Sequence, residues 1–153
     1  MSLENVLKSA VRNIREGRLD LAELDLKSAK GMAPNHPLVW YYDGVVQFRM
    51  HNFEAAASSM KKSIELGVPG PEDAYYYMGF SYMRLKRYDE AIDSLEKAIS
   101  IRPDIPVFYY VLSACYADKG EKRKAVETID KAIALDPENE AFKELKQDIE
   151  RLL

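Results

Sequence analysis

Three columns of small residues recur along the chain at one interval. Ala22, Ala56, Ala91 and Ala125 are separated by 34, 35 and 34 positions. Ala29, Ser63, Ala98 and Ala132 keep those separations, and so do Ala10, Gly44, Gly79 and Ser113. A column of large residues, Trp40, Tyr75 and Tyr109, runs in phase with them, spaced 35 and 34. A fixed period of this size is the mark of a solenoid, whose units bury their apolar faces only by stacking on one another. A small side chain where two helices cross lets their backbones approach, and an aromatic one turn earlier fills the volume beside the crossing.

Each period reads as two short amphipathic helices joined by a tight turn. The stretch Pro71 to Pro103 shows this most fully. Tyr75, Met78, Gly79 and Tyr82 make one apolar stripe, and Ala91, Ile92, Leu95, Ala98 and Ile99 make a second, both at helical spacing. The pattern divides the chain into units of about 3–36, 37–71, 72–105 and 106–139. The first carries Leu3, Val6, Leu7, Ala10, Val11 and Ile14, turns at Gly17, and ends by Pro34, before which helix is disfavoured. The second opens on His36-Pro37, where proline suits the first helical turn, and turns at His51-Asn52. It closes on Gly67-Val68-Pro69-Gly70-Pro71. The extra residue there accounts for the longer interval and is expected to lengthen the turn, a small change of twist being the alternative. The third unit places Glu72 and Asp73 in its first helical turn, where negative charge suits the helix dipole. The fourth turns at Lys119-Gly120 and is closed by Pro137. Residues 140–153 depart from the period. Phe142, Leu145, Ile149 and Leu152 form a narrow apolar stripe among charged residues, as expected of a helix that closes the open face of the last unit. No comparable closing helix is recognisable at the N-terminus, which leaves room for further chain upstream. The expectation is one all-α domain over residues 1–153, four helix pairs plus a C-terminal capping helix.

Composition narrows the function. The formal charge of −3 over 153 residues argues against a general nucleic-acid binder, which needs a basic face for the phosphate backbone. One cysteine, Cys115, excludes an internal disulfide framework and is compatible with a reducing compartment. No apolar run approaches the roughly 18 residues of a membrane span. The N-terminal MSLENVLKSAVRNIRE carries charges within its apolar spacing and makes a poor secretory signal, so the cytoplasm is the expected location. His36 and His51 fall in turns with no cysteine or histidine at metal-ligand spacing. Cys115 lies on the apolar face of a helix, where an inert buried thiol is the natural reading. There is no glycine-rich phosphate loop, and the carboxylates read as solvated helix faces, as from Glu121 to Lys131. Neither catalysis nor a cofactor or metal is expected.

The columns resemble the tetratricopeptide repeat. The third unit matches most fully, through Tyr75, Met78-Gly79, Tyr82, Tyr88, Ala91, Leu95, Ala98 and Pro103. The second follows with Trp40, Asp43-Gly44, Gln47, Phe53, Ala56, Met60 and Ser63, and the fourth with Tyr109, Leu112-Ser113, Tyr116, Ala125, Ile129, Ala132 and Pro137. The first is weaker: Val6, Ser9-Ala10, Ala22, Leu26, Ala29 and Pro34. The resemblance implies a right-handed superhelix and an interaction module, an adaptor or scaffold, that cradles a peptide or helix in a concave groove formed by the first helix of each repeat. Two other uses of the same architecture are self-assembly and substrate recruitment within a larger enzyme.

It also implies which residues line that groove. They are Glu4, Leu7, Val11, Ile14 and Arg15 in the first unit, and Leu38, Tyr41, Val45, Phe48 and Arg49 in the second. The third contributes Asp73, Tyr76, Phe80, Met83 and Arg84, and the fourth Val107, Tyr110, Ala114, Ala117 and Asp118. The floor is apolar, with Val11, Val45 and Phe80 in one row and Ile14, Phe48 and Met83 in another. Such a patch suits an amphipathic helix or an apolar peptide, or serves to thicken packing between neighbouring first helices. The tyrosine row Tyr41, Tyr76 and Tyr110 is common in the family. Arg15, Arg49 and Arg84 form a second row, which would attract partner carboxylates or rest as solvated cations near helix ends. The expected ligand is therefore a protein or peptide, amphipathic and partly acidic. The lysine and asparagine clamp by which some members grip a terminal carboxylate is missing. Leu7, Val11, Tyr42, Asp73 and Tyr77 stand at its positions, which argues against a receptor for heat-shock chaperone tails.

Overall fold

A computed structural model describes residues 1–152. Leu153, the last residue of the expected closing helix, lies outside them. The described residues form nine α-helices and no strand: α1 (Leu3–Arg15), α2 (Leu19–Met32), α3 (Pro37–Arg49), α4 (Phe53–Glu65), α5 (Glu72–Arg84), α6 (Tyr88–Ile101), α7 (Pro106–Lys119), α8 (Lys122–Leu135) and α9 (Glu140–Arg151). Each helix packs on its successor, and each odd helix also touches the next odd one. Even helices do not touch each other among the described residues. The result is an all-α repeat superhelix with the odd helices along one surface and the even helices along the other.

The turn inside each pair is the same structure four times over. The N–H of Arg18 donates to the carbonyl of Asn13, Asn52 to Gln47, Arg87 to Tyr82 and Glu121 to Tyr116, each at 2.8 Å. This bond spans six residues, as in the Schellman motif, and requires a left-handed residue just before the donor. Gly17 (φ 75°), His51 (φ 64°), Lys86 (φ 61°) and Gly120 (φ 91°) occupy that position. The connection after α4 is a longer turn. Gly67 and Gly70 take positive φ there, and Val68 tucks its side chain between Met60 and Ala74.

The small columns lie at the helix crossings. Every member of the three is buried. A Cβ on Gly79 would fall 2.7 Å from Leu95 Cγ and 3.2 Å from the carbonyl oxygen of Ala91, so α5 meets α6 at backbone distance. The large column ties a unit to its predecessor. Trp40 Nε1 donates to the carbonyl of Pro34 at 2.6 Å, and the Tyr109 hydroxyl to that of Pro103 at 2.7 Å.

Polar bonds clasp the first two pairs. Ser9 Oγ donates to Asp25 Oδ2 at 2.7 Å, joined by Asn13 Nδ2 at 2.9 Å. In the second pair the residue types exchange helices: Ser59 Oγ, on α4, donates to Asp43 Oδ2, on α3, at 2.6 Å. Asp43 is buried and also holds Lys30 Nζ of α2 at 3.1 Å, while that ammonium lies 4.8 Å from the centre of the Trp40 ring.

Candidate functional site

The odd helices carry all of the residues expected to line a groove. Leu7, Val11, Tyr41, Val45, Phe48, Tyr76, Phe80, Met83, Tyr110 and Ala114 are all half-buried. Arg15, Arg49 and Arg84 are exposed. Ile14 is placed differently. It is buried in a core cluster with Ala10, Ala22, Leu26 and Val46.

The structure joins the aromatic members of this surface ring to ring, those around Phe48 edge to face. Phe48 and Phe80 have ring centres 5.1 Å apart at 74°. Both also meet residues that the sequence pattern did not assign to the groove. Phe48 lies 5.0 Å from Tyr77 and 5.8 Å from Phe53, and Phe53 lies 6.4 Å from Phe80. Tyr41 reaches Tyr77 at 6.3 Å, and Tyr76 stacks on Phe108 at 5.4 Å. Tyr110 packs 5.2 Å from Phe142 of α9. These rings thus make contacts between successive odd helices. Edge-to-face pairs of this kind each add about 1 kcal/mol beyond area burial. Tyr42 and Tyr77 were visible as neighbours of Tyr41 and Tyr76 in the sequence. Their part in the network follows from ring orientation, which spacing does not show.

The phenols give the surface a polar side. Among the described residues the hydroxyls of Tyr41, Tyr76, Tyr77 and Tyr110 make no hydrogen bond within the chain, unlike those of Tyr109 and Tyr116. Burial, with nearby Tyr77 and Tyr110, pushes Tyr76 up to about 12. Tyr41 is raised further, by burial and by Tyr77 and Asp73. Tyr77 is raised by burial and Asp73, and Arg49 partly offsets them. All three are neutral hydrogen-bond donors at neutral pH. Burial and neighbouring Glu72 hold the Asp73 carboxyl above the usual carboxylate range.

The arginine row is only partly free. Arg49 Nη1 donates to the carbonyl of Ile14 at 3.4 Å, at the negative end of α1 where a cation is favoured. The Arg84 guanidinium lies over the Phe53 ring, 4.8 Å from its centre. Arg15 rims a cleft of about 410 Å³ on α1. Elsewhere the chemistry is quiet. Among the described residues no cluster of histidine, cysteine or acidic side chains is placed to hold a metal ion, and no helix is long and apolar enough to cross a membrane. Burial pushes the Cys115 thiol up to about 12, which leaves little thiolate for nucleophilic chemistry.

No curated protein matches the sequence. Among solved structures, a chain of the APC/C hetero-tetramer Cut9–Hcn1 superposes with a TM-score of 0.90 at 20% identity. The match covers 97% of this chain and 30% of that one, so the chain spans under a third of that relative's length. MamA (41-end) from Desulfovibrio magneticus RS-1 gives 0.89 at 24% identity, over 96% of this chain and 82% of that one. YrrB, described as a TPR protein with an unusual peptide-binding site, gives 0.80 at 16% identity, over 92% and 72%. At these identities the likeness is one of fold. Tetratricopeptide-repeat family models match residues 72–105 and 107–139. Such repeats form protein-interaction scaffolds and are in general not catalytic. Residues 72–105 and 107–139 are thus two tandem tetratricopeptide repeats, set in a superhelix whose fold other repeat proteins of the kind share.

Proposed function

We propose that the chain is an adaptor that binds a peptide or amphipathic helix of another protein along its odd helices, with residues 1–153 acting as one four-repeat domain and its cap. The observation that carries this reading is the aromatic surface of α3, α5 and α7. Its rings are only half-buried, and four of its phenols have no hydrogen-bond partner among the described residues. An apolar floor with donors standing on it suits a backbone that brings carbonyl groups and apolar side chains together. The peptide-binding site attributed to YrrB supports the reading by analogy of fold.

The test is a selection of peptides from a displayed library against the full chain. Selected peptides should lose affinity about tenfold, or 1.4 kcal/mol, in the double variant Tyr41→Phe/Tyr76→Phe. That variant removes two donors and keeps every ring, so it folds normally. Phe80→Ser should abolish binding, with circular dichroism checking that the helices persist. A selection that returns no binder, or binders indifferent to the tyrosine variant, overturns the reading.

A further inference from the structure

We propose that the furrow between α6 and α8, on the surface away from the odd-helix groove, is a second docking site. Its occupant is a segment of a partner protein that sets an apolar side chain into the furrow and a carboxylate on Lys131. With both sites filled, the chain holds two partners on opposite faces.

Even helices do not touch each other among the described residues, so an odd helix lies at the bottom of a furrow between its own even partner and the even helix before it. The furrow over α7 holds a cleft of about 440 Å³, within the range of about 300–1,000 Å³ usual for ligand sites. Its floor is Ile99 of α6 with Tyr109, Leu112 and Tyr116 of α7. The phenols here differ from those of the groove. Tyr109 donates to the carbonyl of Pro103 at 2.7 Å, and Tyr116 to Glu96 at 3.2 Å. With those donors spent inside the chain, the rings offer apolar surface. Such a floor suits an aliphatic or aromatic side chain rather than a peptide carbonyl.

The α8 wall supplies the charge. Lys62, Lys97 and Lys131 stand in one column, 35 and 34 residues apart, and the first two have partners within the chain. Lys62 lies 5.8 Å from the centre of the Trp40 ring. Lys97 meets Asp93, one turn earlier on α6, at 3.0 Å and lies 5.9 Å from the centre of the Tyr75 ring. Glu127 stands before Lys131 as Asp93 stands before Lys97, but it meets Arg123 instead, at 3.4 Å. Lys131 is exposed and has no ion pair, hydrogen bond or ring contact among the described residues. The other charges of the cleft are engaged. Lys124 lies 4.0 Å from Glu121 and 5.7 Å from the centre of the Tyr116 ring, and Glu96 accepts from Tyr116. One free ammonium beside an apolar floor calls for one carboxylate beside an apolar side chain. The furrow over α5 shows the contrast. It holds about 410 Å³, but Asp89, Glu90 and Asp93 on its rim are paired with Lys119, Arg87 and Lys97 at 2.6, 2.8 and 3.0 Å. The Arg87 hydrogen bond, with Lys61 nearby, holds Glu90 below the usual carboxylate range.

The test is a selection of displayed peptides on the full chain, with counter-selection on Lys131→Glu, at an exposed position. Recovered peptides should carry aspartate or glutamate beside a leucine or aromatic residue. In anisotropy, Lys131→Glu should weaken them about tenfold, and replacing their carboxylate by the amide about fivefold. Ser100→Trp, at an exposed position lining the cleft, should abolish binding, with circular dichroism checking that the helices persist. Tyr41→Phe/Tyr76→Phe should leave binding unchanged. A selection that returns no peptide sensitive to Lys131, or peptides indifferent to Ser100→Trp or to loss of their carboxylate, overturns the proposal. So does a dimer in sedimentation that Lys131→Glu dissolves, because the occupant is then a second copy. If the only peptides recovered respond to Tyr41 and Tyr76, the groove reading stands and this one falls. Peptides that respond to Lys131 and Ser100 alone support this site whatever becomes of the groove.

Discussion

The first two repeats and the last two solve one packing problem in different ways. At the position before the small-residue column, the odd helix meets a residue sixteen places later on its even partner. In the first pair these are Ser9 and Asp25, and in the second Asp43 and Ser59, the same hydrogen bond with its ends exchanged. In the third and fourth pairs the odd helix brings Met78 and Leu112 instead. Ser94 Oγ then donates to the carbonyl of Glu90 at 2.9 Å, and Thr128 Oγ1 to that of Lys124 at 2.7 Å, each on its own helix. A polar clasp couples two helices, and losing one half leaves the other unsatisfied in the interior. The apolar solution has no such dependence at this position, since Ser94 and Thr128 already bond within their own helices and need nothing from the odd helix. The two halves should therefore respond differently to substitution, although the fold is the same.

The largest difference is expected at the second clasp. Asp43→Ala strips the partner from buried Ser59 and frees Lys30, and should destabilise by about 2–3 kcal/mol in urea denaturation. Asp43→Ser/Ser59→Asp rebuilds the first repeat's arrangement, with Gln47 standing where Asn13 stands. It should recover at least about 1 kcal/mol relative to the sum of its single substitutions. Strict additivity would show that the exchanged bond is incidental. Asp43→Met should cost less than Asp43→Ala, because it imports the third repeat's solution.

A smaller contrast sits in the glycine column. At Gly44 a new Cβ meets only Met60, whose Cε, Sδ and Cγ lie at 2.8–3.0 Å and can swing away. At Gly79 it meets the Leu95 branch point and a backbone oxygen, which cannot. Gly79→Ala should cost about 1–2 kcal/mol as overpacking. Gly44→Ala should come out near neutral, because the roughly 1 kcal/mol gain in helix propensity offsets the repacking of Met60. Equal effects on the thermal midpoint would mean that α3 and α5 approach their partners alike.

What the sequence made legible follows from what each feature depends on. The helix pairs and the small columns depend on side-chain size at a fixed interval, and every column member is buried as that requires. The stripe of α9 was legible for the same reason in Phe142, Leu145 and Ile149, but not in Leu152, which lies past the helix end and is exposed. Ile14 was not: its row is set by the family pattern, but its burial is set by its packing on Ala22 and Leu26 of α2 and Val46 of α3. The clasps were hidden because their ends lie sixteen residues apart on different helices and change places between repeats, so neither column shows one residue type. The aromatic network depends on ring orientation, on which composition and spacing are silent.

The turns give the smallest contrast, and here the outer repeats differ from the inner ones. The left-handed position is glycine in the first and fourth (Gly17, Gly120) and a residue with a side chain in the second and third (His51, Lys86). Left-handed backbone costs a non-glycine residue about 1 kcal/mol, so both inner turns carry strain that the outer ones do not. His51 has a compensation: its ring stacks on Phe53 with centres 5.7 Å apart at 14°. Lys86 is exposed and makes no hydrogen bond or ion pair through its side chain among the described residues. Lys86→Gly should therefore stabilise by up to about 1 kcal/mol, less the few tenths that glycine returns to the unfolded chain. His51→Gly should gain less, because it also removes the stacked ring. Chemical denaturation of the two variants side by side decides the matter. A larger gain at His51 would mean that the stacking contributes nothing, and that the histidine is there only because a turn tolerates it.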